Sequence, residues 1–143
     1  MAANDWYYKG KLLKDVPEGI YGFIYVITDN TGKKYWGKKA FTHKKKTKLS
    51  KKARVGTRKR YNIGTVDSGW NNYWGSSKPL LEYISQNGTK GFKREILYLC
   101  KDRTSLAYWE VVTLIENKVL FRNDCWNGNV CGKYFKGKIH NIS

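Results

Sequence analysis

Two β-prone stretches flank a turn cluster near the start of the chain: Gly22-Phe23-Ile24-Tyr25-Val26-Ile27-Thr28, then Asp29-Asn30-Thr31-Gly32, then Lys33-Lys34-Tyr35-Trp36-Gly37. Asp, Asn, Thr and Gly supply turn chemistry, so the segment reads as a β-hairpin with strands at about Phe23–Thr28 and Lys33–Lys38. A loop centred on Asn30 sets Tyr25 directly opposite Tyr35, with their Cβ atoms about 5 Å apart on one face. Such a pair either packs as a cross-strand aromatic contact or forms part of a polar site.

Charge narrows the choice. The chain has 143 residues, 28 Lys plus Arg against 11 acids, and a net charge of +17. Between Lys33 and Arg60 there are 14 cations and no acid. A surface of this kind repels itself unless a polyanion is the partner, and releasing counterions from phosphates favours nucleic acid. The basic run lacks the apolar interleaving of a membrane-surface helix, and no apolar run approaches the roughly 20 residues of a span. Cys100, Cys125 and Cys131 are odd in number and form no C-x-x-C, and the N-terminus has no signal-peptide pattern. Reduced cysteines in a cytoplasm and one domain over residues 1–143 are therefore expected.

Along the chain, residues 1–18 read as an aromatic, basic arm containing Trp6, Tyr7 and Tyr8, and residues 40–75 as a basic insertion, partly mobile until it meets its partner. A helix is expected from near Ser77, with Pro79 in its first turn, Leu80, Leu81 and Ile84 inward, and Gly88 as its stop. Residues 92–100 form a third strand. A second helix, capped by Thr104 or Ser105, runs to about Lys118, and an irregular tail with short strands follows.

In that second helix Ala107, Val111, Leu114 and Ile115 follow the spacing of a buried stripe, and Glu110 falls on it. A carboxylate there must pair with a cation, bind a metal or sit at the edge of a cleft. Paired with one of the many arginines it is structural. On a phosphate-binding surface it can hold one Mg²⁺ (or Mn²⁺), the other ligands being water and phosphate oxygens. Tyr25, Tyr35 and a residue of the basic insertion can then supply water positioning and a countercharge.

Five segments in order resemble the GIY-YIG nuclease family, and most nearly the Seg-type free-standing homing endonucleases of tailed phages. They are Tyr35-Trp36-Gly37-Lys38-Lys39, Tyr73-Trp74-Gly75-Ser76-Ser77, Phe92-Lys93-Arg94-Glu95-Ile96-Leu97, Tyr108-Trp109-Glu110 and Trp126-Asn127, spread over roughly residues 20–130 with the first strand. The resemblance implies an α/β (α+β) domain with a small three-stranded antiparallel sheet flanked by helices. It also implies divalent-metal-dependent cleavage of DNA phosphodiester bonds. By position, Tyr25 is the first-motif tyrosine that helps activate water, Tyr35 its second-motif partner, Glu110 the metal ligand, and Asn127 the asparagine that shapes the site.

Three departures from the pattern stand out. Trp36 replaces the usual isoleucine. The literal Gly19-Ile20-Tyr21 is a decoy, since Tyr21 lies four residues before Tyr25, about 13 Å further along a strand. The window after the second motif holds only lysines, so the catalytic arginine is expected to be Arg58 or Arg60, with Arg54 and Arg94 as the other arginines nearby. Lys38, Lys39, His43, Lys44, Lys45, Lys46, Lys59 and Lys78 are the expected DNA contacts. The functional expectation is a phage-type homing or nicking DNA endonuclease, its specificity coming from the insertion, the aromatic arm and a homodimer. Its rivals are a non-catalytic nucleic-acid binder, stacking bases on its six tryptophans and eleven tyrosines, and a structure-specific repair nuclease.

Overall fold

The computed structural model describes residues 5–53, 55–56, 58, 61–140 and 142, with the side chains of Thr47, Asn62 and Ile63 excepted. The strands are β1 (Trp6–Tyr8), β2 (Lys11–Leu12), β3 (Gly22–Thr28), β4 (Lys34–Ala40), β5 (Thr42–Lys48), β6 (Tyr61–Asp67), β7 (Lys93–Cys100), β8 (Asn129–Val130) and β9 (Tyr134–Phe135). The helices are α1 (Lys78–Asn87) and α2 (Arg103–Glu116). None of these described helices is long and apolar enough to cross a membrane.

The central sheet has five strands in the order β2-β1-β7-β3-β4, where three were expected. The expected hairpin and third strand form its centre, and the difference comes from the N-terminal segment. Trp6–Tyr8 pairs parallel to β7, and β2 pairs back on β1, so the sheet is mixed and the segment is not a free arm. Trp6 is 1% exposed and packs edge-on against Phe23 and Tyr25, and its Nε1 donates to the Trp70 carbonyl at 2.7 Å. A tryptophan here removes more apolar surface from water than any other side chain could, which fixes the segment.

One sheet face carries Phe23, Tyr25 and Ile27, covered by Phe41, Trp70, Leu80 and Phe92. The other face carries Ile24, Val26 and Trp36, covered by Leu106 and Leu114 of α2. Helix α1 starts as expected, with Ser77 accepting from the Leu80 N–H and Gly88 closing it at φ 75°. Its inward face is Leu80, Tyr83 and Ile84. Leu81 sits about 100° further round the helix and is exposed. Helix α2 is capped by Asp102, whose carboxylate accepts from the Ser105 N–H at 2.7 Å. Aspartate caps as well as serine does, so the helix begins earlier than Thr104 suggested.

The basic insertion is ordered in its described part. β5 and β6 form a separate two-stranded ribbon, Thr42 opposite Asp67 at its root and Lys48 opposite Tyr61 at its far end.

Candidate active site

The hairpin register places the tyrosines differently from the expectation. Asp29 Oδ1 accepts from the Thr31 and Lys33 N–H groups, and the Asp29 N–H bonds to the Lys33 carbonyl. Gly32 takes the left-handed position at φ 93°. The turn therefore centres on Thr31, one residue later than Asn30. Tyr25 lies opposite Gly37, and Tyr35 opposite Ile27. The two phenols are diagonal neighbours on one face, with ring centroids 6.2 Å apart.

The glycine opposite Tyr25 is needed there. A Cβ on Gly37 would come within 2.5 Å of the Tyr25 hydroxyl oxygen and 2.7 Å of Cζ. The same relation recurs in the second Tyr-Trp-Gly of the chain: a Cβ on Gly75 would meet the Tyr35 ring at 2.9 Å. Tyr73 from that segment joins the pair, its ring 5.9 Å from that of Tyr25 and nearly perpendicular to it, and the two side chains are hydrogen-bonded. Lys39 Nζ lies 4.2 Å from the Tyr73 ring centroid. Tyr35 Oη and Ser76 Oγ are 3.1 Å apart. The motif expectations had no role for Tyr73 or Ser76; the repeated Tyr-Trp-Gly was the signal that pointed to them.

Glu110 does lie on the buried side of α2, but with different neighbours from those expected. The inward face is Leu106, Glu110, Thr113 and Leu114, whereas Ala107, Val111 and Ile115 are exposed, one helical step round. Glu110 is half-buried, and among the described residues no arginine is found paired with it. Its one side-chain hydrogen bond comes from Cys131 Sγ, 3.6 Å from Oε1. The carboxylate opens into a cleft of about 360 Å³ together with Tyr35, Ser76, Lys78, Asn127 and Cys131.

Asn127 is buried beside that cleft. Its Oδ1 accepts from the Trp36 N–H at 3.0 Å and its Nδ2 donates to the Trp36 carbonyl at 2.8 Å. One side-chain amide thus takes both backbone groups of an edge-strand residue, continuing the pairing that Asp124 and Trp126 make with Lys34. This clamps β4 where Tyr35 leaves it.

Electrostatics make both phenols neutral. Tyr25 is 1% exposed, and burial pushes its pKa well above the ordinary 10.0, with further upward pressure from Tyr73, Tyr35 and Glu110. Tyr35 is raised too, chiefly by burial, partly offset by the Ser76 hydrogen bond.

The arginine expectations fare differently. Arg60 and Lys59, like Arg54, lie outside the described residues. Arg58 is exposed, in the connection beyond the far ends of β5 and β6, and does not line the cleft. Arg94 is buried and stacked between Trp6 and Trp74, its guanidinium carbon 4.7 and 4.3 Å from their rings, and it donates to the Tyr73 carbonyl. Burial pulls its pKa down to about 10, opposed by Asp5, so it stays charged at neutral pH and braces Tyr73 from behind. Lys39 is the cation set over the ring of Tyr73. Lys38 is exposed and faces Cys131, Lys78 lines the cleft, and His43, Lys44, Lys45 and Lys46 are exposed on the ribbon.

A family model described as "Putative endonuclease segE, GIY-YIG domain" matches residues 6–139, nearly the whole chain. The chain belongs to the SegE-type GIY-YIG endonuclease family. It is a DNA endonuclease, and the cleft between Tyr35 and Glu110 is its candidate active site. No curated protein and no solved structure matches it. The match begins at Trp6, the first strand of the sheet, so the N-terminal segment is part of the endonuclease domain.

Proposed function

We propose that this endonuclease cleaves phosphodiester bonds with a divalent ion, Mg²⁺ or Mn²⁺, held by Glu110. The supporting observation is a cleft that Tyr35 and Glu110 line together with Ser76 and Lys78, with the buried Tyr25 ring packed against both Tyr35 and Tyr73 and Lys39 over the Tyr73 ring. The donor set suits such an ion: Glu110 presents one carboxylate to the cleft, and Mg²⁺ is commonly bound by one or two carboxylates, waters and substrate phosphate. When bound, the ion supplies Lewis-acid stabilisation of the charge on phosphorus and the leaving oxygen.

The remaining work falls to the chain itself. Lys39 lies where it offsets phosphate charge, the role expected of an arginine, and Lys78 holds the DNA at the cleft rim. Tyr25 and Tyr35, kept neutral, position the attacking water by hydrogen bonding instead of acting as free tyrosinates. Asn127 is a positioning residue, holding β4 and hence Tyr35. The biological reading is a phage-type homing or nicking enzyme working in a cytoplasm, where its free cysteines stay reduced.

Incubating supercoiled plasmid with protein and Mg²⁺ tests the reading. Nicked or linear product that disappears with chelator and with Glu110→Ala is the expected result. Salt-sensitive binding without cleavage of any DNA would favour a non-catalytic binder. Preference for branched over linear duplex would favour a repair nuclease.

A further inference from the structure

The β5–β6 ribbon pairs with no other strand among the described residues. Its exposed side chains include His43, Lys44, Lys45, Lys46 and Lys48, and no acid lies between Lys33 and Asp67. Strand alternation puts Lys44, Lys46 and Lys48 on one face, about 6.6 Å apart, with Thr65 and Tyr61 opposite Lys44 and Lys48. Lys46 Nζ sits 5.4 Å from the Tyr61 ring centroid. An isolated two-stranded hairpin is marginal in water, and three like charges on one face oppose it further. Such an element gains its stability from a polyanion laid against it.

Its root, by contrast, is firmly set. Phe41 is 1% exposed and meets Trp70 edge-on at 5.0 Å. The Ser68 N–H donates to the Phe41 carbonyl, and Ser68 Oγ to the Ala40 carbonyl at 2.6 Å. The ribbon is therefore spliced into the chain between Lys39 and Tyr73, the cation and ring that face each other at the active site. Whatever the ribbon grips is held in a set relation to the scissile phosphate.

We propose that this ribbon lies in the major groove of duplex DNA beside the cleavage point, its Lys44/Lys46/Lys48 face turned to the DNA. The inference rests on the reading of the protein as a DNA endonuclease. Two strands about 4.8 Å apart with their side chains match a groove about 12 Å wide. The deep, narrow major groove of A-form RNA does not admit them. Lysine can donate to guanine O6 and N7, and Thr65 can bond to a base edge or touch a thymine methyl.

The test uses full-length Glu110→Gln protein, so that DNA stays intact, and compares it with the same protein carrying Lys44→Ser, Lys46→Ser and Lys48→Ser. Binding to duplex DNA is followed across salt concentrations, with methylation interference at guanine N7 in the major groove and adenine N3 in the minor groove. Thermal unfolding confirms that the triple variant is folded. The expected result is interference at guanine N7, lost in the triple variant, with the salt slope reduced by roughly 2 to 3 and affinity down at least about tenfold. Interference at adenine N3 alone, an unchanged salt slope, or equal competition by double-stranded RNA would overturn the inference. Plasmid cleavage by the wild type is the separate check on the endonuclease reading. If cleavage stands and the ribbon variants bind normally, the ribbon inference alone fails; if guanine N7 interference stands without any cleavage, the catalytic reading alone fails.

Discussion

The Tyr25 ring lies directly over Gly37 on the neighbouring strand, close enough that no side chain can occupy position 37 while Tyr25 stays in place. Because Tyr25 is buried against Trp6 and Phe23, its ring cannot swing aside cheaply. Gly37→Ala is expected to cost about 1–3 kcal/mol in chemical denaturation, as overpacked core positions do, and to reduce cleavage more than that loss explains. A stable Gly37→Ala protein of normal activity would contradict the packing.

The N-terminal segment carries a second prediction. Trp6→Ala removes a fully buried indole and its hydrogen bond to the Trp70 carbonyl. A loss of about 3–5 kcal/mol is expected, enough to unfold a marginal domain. Urea denaturation measures it. A free DNA-binding arm would instead lose affinity and keep its stability.

How far the sequence alone reaches is clear from these two positions. Of the stripe expected to carry Glu110 only Leu114 is buried, whereas the hairpin, the third strand and the Ser77 and Gly88 boundaries of α1 follow from local signals: turn residues, caps and alternation. The register did not, because it depends on the Asp29 carboxylate drawing in the Thr31 and Lys33 N–H groups, a one-residue shift that composition does not reveal. Trp6 was legible as an aromatic but not as core, since its strand partner, β7, lies nearly ninety residues away. The ribbon was hidden for a different reason. A lysine-rich strand has no buried face, and so no hydrophobic alternation by which to recognise it.

Asn127 gives a prediction about the clamp on β4. Asn127→Ala leaves both the N–H and the carbonyl of Trp36 without their side-chain partner, at a cost of about 1–3 kcal/mol for each group that water cannot reach. Asn127→Asp retains the acceptor but sets a carboxylate oxygen against the Trp36 carbonyl, and is expected to be the worse of the two for cleavage. Stability and single-turnover rates measured together separate this from a direct role at the phosphate, in which stability would not change.

Burial of the tyrosines sets a pH dependence. Tyr25 and Tyr35 hold their protons more tightly when folded than the ordinary 10.0. Their contribution is thus fully present below about pH 10 and is lost as pH rises through the folded values. Unfolding free energy should fall above about pH 10, less steeply in Tyr25→Phe, and tyrosinate absorbance should show two phenols resisting ionisation. A phenol ionising near neutrality would contradict the neutral-phenol role.

We propose that Tyr25 and Glu110 act on the same phosphate. Single-turnover cleavage of a DNA duplex by saturating wild-type, Tyr25→Phe and Glu110→Gln proteins in Mg²⁺, with DNA affinity measured alongside, tests it most directly. Each variant is expected to fall by on the order of 10²–10⁴ in rate while DNA affinity holds, and the double variant to fall little further, as residues of one unit do. Rates within about tenfold of wild type in either folded variant would contradict it.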